Sequence, residues 1–419
     1  MAGARGGGQN PQVTRVIDPE TIDIHDPDGY VAAAPHEAFA YLRREHPVFR
    51  QGMPDGTWYW AVMRHADVVE VSREPLRFSA EVGGVVLEDM APERLEQSKN
   101  MLLMMDPPRH TLLRKEVAHL FKARAIARLE ASIRTVCGDI FDRAAAQGDV
   151  EFVHEVAAHL PSQVFGEMMG IPAADRADIN RWAEMTTSGT DPDVNPEGYA
   201  SGDEGEGSAL MAAYGYEYAV RRRGETGDDL GLALLHTEVD GEPLTDLEFA
   251  FFFVQLVTAG NDTTRTMLSS GLAELLHHPD QMELLRADRS LIPSAVEEIL
   301  RYANPLHYFR RTATEDTEIA GQPIAAGEKL AMMYTSANRD EAVFADPDRF
   351  DITRSPNPHL SFGIGEHFCL GVHLARLEGR VFFDELLTRF PAIEQTGDSA
   401  RMRSNLNNAL KSLPVRLVS

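Results

Sequence analysis

The stretch His359–Arg380, HLSFGIGEHFCLGVHLARLEGR, decides how the rest of the chain is read. Phe362, Gly363, Gly365, His367, Cys369 and Gly371 crowd together just ahead of an apolar-periodic helix that carries Leu374, Leu377 and Phe382. Glycines around a thiol let the backbone turn tightly and come close to a flat ligand, and amides near the sulfur stabilise its thiolate. Two plainer readings compete. His367, Cys369 and His373 cluster in a way that suits zinc, but a closed structural zinc site needs four ligands, usually in regular Cys or His pairs. A buried structural cysteine leaves the Phe-x-x-Gly-x-x-x-Cys-x-Gly spacing unexplained. The other cysteine, Cys137, sits among Ile133, Val136, Ile140 and Phe141 at helical spacing and reads as core packing.

Upstream, Thr245–His278 reads TDLEFAFFFVQLVTAGNDTTRTMLSSGLAELLHH. It opens on a capping-box pair, Thr245 with Glu248, and then stays apolar on nearly every face, so it predicts a long buried helix. About 30 residues at 1.5 Å each span roughly 45 Å, enough to cross the molecule. The run Ala259-Gly260-Asn261-Asp262-Thr263-Thr264 is odd inside such a helix, where Gly alone costs about 1 kcal/mol relative to Ala. Small residues let a ligand lie against the backbone, and Asp262 beside Thr263 offers a proton carrier next to a hydroxyl.

Around these two segments the chain of 419 residues is ordinary in composition, 43% hydrophobic and 25% charged, which suffices for a large core. A net charge of −25 argues against nucleic acid or anionic lipid as the main partner. No apolar run approaches the ~18 residues of a membrane span and the N-terminus has no apolar leader core, so a cytoplasmic location is expected. Two dissimilar, distant cysteines give no disulfide framework and fit a reducing compartment. Residues 1–20 read as a flexible arm and 21–419 as a single domain. A strand pair is expected at VFRQG and TWYWAVM across the turn Pro54-Asp55-Gly56, helical spacing from about Ala66 to Ala303, and strands again through YFRRTATEDTEIAGQPIAAGEKLAMMY. The fold class is thus mainly α with small β-sheets. Residues 186–208, rich in Gly, Asp and Pro, predict a long exposed loop acting as a mobile lid.

The cysteine loop, joined by the Ala-Gly-x-Asp-Thr-Thr run and by motifs from about residue 106 onward, resembles the cytochrome P-450 superfamily. That resemblance implies haem b between the long central helix and the cysteine loop and helix, with Cys369 as the iron's thiolate ligand. A thiolate pushes electron density toward iron and favours O–O cleavage of dioxygen, the co-substrate. It further implies that Ala259 and Gly260 form the oxygen groove, that Thr263 steadies dioxygen while Asp262 feeds protons, and that Phe362, Gly363, His367 and Gly371 complete the haem cradle. His110 and Arg114 in DPPRHTLLRK, with Arg311 and His367, are assigned to the haem propionates. Glu298 and Arg301, three apart on one helical face, form a structural network that the resemblance completes with Arg349.

The resemblance places Val85, Leu103, Leu256, Leu306, His307, Tyr308 and Phe309 over the haem as the pocket, nearly all apolar, which suits a hydrophobic ligand. Between Asp106 and Arg134 the basic residues Arg109, Arg114, Lys115, Lys122, Arg124, Arg128 and Arg134 outnumber the acids, reversing the sign of the chain. A basic face can steer an acidic electron donor. Since the chain shows no anchor or fused reductase, the resemblance implies a separate iron-sulfur ferredoxin and a ferredoxin reductase, with the enzyme a monomer. The stretch from Asn304 to Phe350 and the terminal RMRSNLNNALKSLPV resemble bacterial members acting on sterol side chains, branched lipids and terpenoid alcohols. The expected reaction is hydroxylation of an unactivated C–H bond in a steroid side chain or isoprenoid, with fatty acids or other small apolar compounds as the alternative. A peroxide-driven enzyme typically replaces the acid-alcohol pair present here. A haem-based sensor or carrier needs neither proton relay nor donor face.

Overall fold

A computed structural model of the chain describes residues 19–187, 191–193, 205–239 and 241–418. The arm expected over residues 1–20 lies outside the described residues except at its end, where a 3-10 turn opens at Pro19–Thr21. The molecule is 53% helical and 14% strand, so the mainly α expectation with small sheets holds. Among the described residues no helix is long and apolar enough to cross a membrane.

The site and the cores beside it are built from α1 (Arg109–Val117), α2 (Glu130–Gln147), α3 (Arg176–Thr187), α4 (Glu206–Arg222), α5 (Asp246–His277), α6 (Ile292–Tyr302) and α7 (Val372–Arg389), together with the helix His159–Met168. The capping box at the start of α5 is formed in both directions, Thr245 Oγ1 accepting from the Glu248 amide at 3.2 Å and Glu248 Oε2 from the Thr245 amide at 2.9 Å. Those bonds satisfy two of the orphan donors that every helix N-terminus leaves. The 32 residues of α5 serve two apolar clusters. Its first half gives Phe249, Phe252, Phe253 and Val257 to a core shared with α4. Its second half gives Met267, Leu268, Leu272 and Leu275 to a core shared with α2, α6 and α7. The small, polar run Ala259–Thr264 falls in the gap between them.

The main sheet contains β1 (Val48–Gly52), β2 (Trp58–Val62), β3 (Phe78–Ser79), β5 (Tyr308–Ala313) and β6 (Lys329–Met333), in the order β1-β2-β6-β5-β3. The expected hairpin pairs Val48 with Val62 and Gly52 with Trp58. β2 and β6 run parallel, and β5 returns antiparallel on β6 with Arg311 opposite Leu330. β4 (Asp149–Glu151), β7 (Ala392–Gln395) and β8 (Pro414–Val418) form a smaller sheet.

Most of the lid expected over residues 186–208 lies outside the described residues. Its ends belong to α3 and α4 rather than to a loop. Asp191, inside it, is not exposed at all: its carboxylate accepts from the backbone amides of Arg403 and Asp193 and from Lys411 Nζ at 3.2 Å. A low-apolar composition predicts exposure only where no cation waits to bury the acid.

Candidate active site

Cys369 sits at the end of a loop closed by its own amide donating to the Phe362 carbonyl at 2.9 Å. Gly365 has φ +78°, and a Cβ there would stand 2.5 Å from the Ser72 carbonyl oxygen, so only glycine fits. The sulfur precedes the N-terminus of α7, whose dipole favours negative charge. Enclosure pushes the Cys369 thiol up, while a hydrogen bond from the Gly371 amide and the guanidinium groups of Arg114 and Arg376 pull it down.

Across one cavity from Cys369 lies α5. Gln255, Leu256, Ala259, Gly260, Thr263, Thr264 and Met267 line it, a stripe that repeats at helical spacing. Thr263 Oγ1 donates to the Ala259 carbonyl at 2.6 Å, which pins the hydroxyl to the wall. A Cβ added at Gly260 would meet nothing within 4 Å, so the protein's own packing does not demand glycine there. The cavity has a volume of ≈ 220 Å³.

The polar groups on this wall lack partners that a protein interior normally supplies. Arg311 is 3% exposed and forms no ion pair among the described residues; its one hydrogen bond goes to the neighbouring Arg310 carbonyl at 2.8 Å. Both ring nitrogens of His110 and Nε2 of His367 are buried without hydrogen-bond partners. Their rings lie 4.2 Å apart, and burial together with neighbouring guanidinium groups lowers His110 to about 4 and His367 to about 2. Arg114 donates to the Phe368 carbonyl beside Cys369. An unpaired buried guanidinium is costly unless an anion joins it. A flat ligand bearing two carboxylates, held at its centre by a cysteine, supplies the missing partners, so the donor set fits haem.

Every residue assigned from sequence to the haem cradle lines this cavity: His110, Arg114, Ala259, Gly260, Arg311, Phe362, Gly363, His367, Cys369 and Gly371. Thr263, Leu103, Leu256, Leu306 and Phe309 do too. Three residues expected in the pocket do not. β5 alternates, so Phe309 and Arg311 face the cavity while Tyr308 turns into a core with Tyr30, Phe39 and Tyr59. His307 is 1% exposed, with its ring tilted against Tyr30 at 4.7 Å between centroids and Nδ1 2.7 Å from Thr335 Oγ1. Val85 packs with Ala80 and Met104 behind Leu103 and Phe309. Asp262 is also off the wall: one residue from Thr263 on a helix is 100° round, and its carboxylate pairs with Arg265 at 2.5 Å, itself bound to Glu184 of α3 at 2.6 Å.

The Glu298–Arg301 network is present, with both residues 0% exposed and paired at 2.8 Å. Its third side chain is Arg354 and not Arg349: Arg354 Nε lies 3.1 Å from Glu298 Oε2, whereas Arg349 points to solvent and contributes only its carbonyl, 3.1 Å from Arg301 Nη2. Residues the sequence did not single out include Gln255, Thr264, Phe165, Met168 and Glu378. Extending the 3.6-residue period from Ala259 and Thr263 reaches Gln255. Phe165 and Met168 come from a distant segment that carries no local signal. Burial raises Glu378 to about 8, against a hydrogen bond with Thr264.

Comparison with known proteins agrees with this geometry. The family model described as Cytochrome P-450 matches residues 218–417. A Steroid C26-monooxygenase of Mycolicibacterium smegmatis is 38% identical over 403 residues, 94% of this chain and 93% of the relative. A Methyl-branched lipid omega-hydroxylase of Mycobacterium tuberculosis is 41% identical over 389 residues, 90% of each. A Mycobacterium marinum cytochrome P-450 solved in complex with pseudoionone superposes with a TM-score of 0.89 at 40% identity, covering 96% of this chain and 100% of that one.

Proposed function

The chain belongs to the cytochrome P-450 family of monooxygenases, and we propose that it hydroxylates an unactivated C–H bond near the end of a steroid side chain or isoprenoid. The observation that carries this reading is one cavity that Cys369 and Thr263 both line, together with Arg114, Arg311 and a mostly apolar set of side chains. The names of the relatives, a steroid C26-monooxygenase and a methyl-branched lipid omega-hydroxylase, favour chain-end attack on a lipid over attack on short fatty acids.

Haem, when bound through Cys369, supplies the iron centre at which dioxygen is reduced and cleaved. His110, Arg114, Arg311 and His367 would hold its carboxylates. Thr263 holds a hydroxyl proton at the wall, and Asp262 is the acid that replenishes it. Because Asp262 pairs with Arg265, it reaches the cavity only by letting go of that guanidinium, which makes proton entry a switchable step. Leu103, Leu256, Leu306 and Phe309 exclude water and bind substrate by apolar area, at about 25 cal/mol per Å².

Electrons come from a separate ferredoxin and its reductase, in the cytoplasm. The basic face supports this, because α1 abuts the cysteine loop through Thr111 with Glu366 and Arg114 with Phe368, and the Ala123–Ile126 turn packs on α7. Lys115, Lys122, Arg124 and Arg128 are exposed there, whereas Arg109 is tied to Glu248 and Arg134 to Asp384 and Glu385. Reconstitution with ferredoxin, reductase and NADH on a panel of sterols and terpenoids tests the reading. Wild type is expected to form chain-end alcohol in step with NADH use. Thr263→Ala should keep oxidising NADH but yield about tenfold less product and release peroxide, as the loss of a proton relay implies. Full coupling in Thr263→Ala would remove that residue from the mechanism, and absence of product from every lipid would remove the substrate class.

A further inference from the structure

Gln255 is the one side-chain amide on the cavity wall among the described residues. Its Oε1 accepts from the backbone amide of Leu103 at 3.1 Å, linking α5 to the Leu102–Met104 turn that forms the facing wall. Because an N–H is the donor in that bond, the Gln255 oxygen is committed, and the Nε2 group is left as a donor with no hydrogen bond among the described residues. Its wall neighbours Leu102, Leu103 and Leu256 are apolar. The amide is therefore a polar handle among apolar neighbours, held in orientation by the protein's own backbone.

Gln255 stands eight residues before Thr263 on a continuous helix. At 1.5 Å per residue that places the two about 12 Å apart along the wall, the length of an extended chain of roughly ten carbons. We propose that Gln255 is a specificity-determining residue that donates from Nε2 to an oxygen at one end of an elongated apolar substrate, so that oxidation falls on carbons about 12 Å away. This rests on the function proposed above and narrows its substrate to lipids bearing a carbonyl, hydroxyl or carboxylate remote from the attacked carbon. It also explains how a mainly apolar cavity selects one carbon of a flexible chain: one hydrogen bond fixes the register that area alone leaves free.

The test uses haem-loaded protein titrated with 2-undecanone and with undecane, the Soret shift reporting occupancy, followed by product analysis with 2-undecanone and 2-tridecanone. Wild type should bind the ketone about fivefold more tightly than the alkane, the size of one net hydrogen bond. It should hydroxylate both ketones at the same carbon counted from the carbonyl. Gln255→Leu should lose the preference and scatter the products, while binding the alkane as before. Gln255→Glu keeps an acceptor for the Leu103 amide and lacks the free donor, so it should lose the ketone preference with the wall intact. An undiminished ketone preference in both variants, or attack that follows the chain end instead of the carbonyl, overturns the inference and leaves the proposed function standing. No shift with either titrant in wild type also overturns the inference, while the proposed function stands or falls on the sterol and terpenoid panel.

Discussion

A guanidinium that is 3% exposed and unpaired sets the energetics at the residue scale. Burial disfavours the charge on Arg311 and lowers its proton affinity, so in the haem-free protein the group is a cost. An anion beside it reverses the sign. Arg311→Met is therefore expected to raise the thermal stability of apoprotein and to weaken haem retention by about 2 kcal/mol, one charge-assisted hydrogen bond. Apo and holo melting curves, with haem transfer to a scavenger protein, check both signs; equal shifts in the two forms would contradict the pairing. Residues of this kind were legible because the motifs they sit in resemble those of the cytochrome P-450 superfamily. His110 and Arg114 are one turn apart, and Cys369 is framed by glycines. His307 and Tyr308 misled because a segment in which both neighbours are aromatic does not announce which face of β5 looks inward. The alternation is fixed only by pairing with β6, which is remote in sequence.

Helices and strands make up the next scale, where the decisive contact is a buried network joining α6 to the loop before the cysteine. Glu298 accepts from Arg301, Arg354 and Asn357. Removing one partner leaves an uncompensated buried charge, so Glu298→Ala should cost about 3 to 5 kcal/mol and appear as lost holoprotein. Arg354→Ala should be nearly as damaging. Arg349→Ala should stay within about 0.5 kcal/mol, since its backbone carbonyl survives the change. Urea unfolding of the three variants separates these outcomes, and a damaging Arg349→Ala would restore the pairing expected from sequence. A second clamp ties α6 to α7. Burial pushes Glu297 up, but hydrogen bonds from His359 and Arg376 outweigh it and hold it at about 2. A depressed carboxylate stabilises above its ordinary pKa of 4.5 and loses that contribution as pH falls toward 2. Glu297→Gln should therefore be less stable than wild type at pH 7, and urea unfolding at a series of pH values should show that gap closing as pH falls from 4.5 toward 2; a gap that stays constant with pH would contradict the clamp. At this scale α5 was the most legible element, since its cap and its apolar run lie within one continuous segment. Arg354 was not, because two arginines five residues apart in a loop look alike until the chain folds one of them inward.

Over the whole molecule, charge is distributed against its own average. The chain carries −25, yet Lys115, Lys122, Arg124 and Arg128 stand exposed on the side of the cysteine loop. Reduction by an acidic ferredoxin should slow about tenfold as ionic strength rises from a Debye length of ~30 Å to one of ~3 Å. Lys115→Glu with Lys122→Glu should lower the association rate and flatten that dependence; stopped-flow reduction rates that ignore both salt and substitution would contradict docking on this face. Central to the proposed function is that Cys369, beside the gap between the two cores, binds haem iron as a thiolate. The direct measurement is the carbon monoxide difference spectrum of reduced, haem-loaded protein. The account predicts the strongly red-shifted Soret band of a thiolate-ligated haem in wild type and its loss in Cys369→Ser. A band at the position of histidine-ligated haem, unchanged by that substitution, would contradict it.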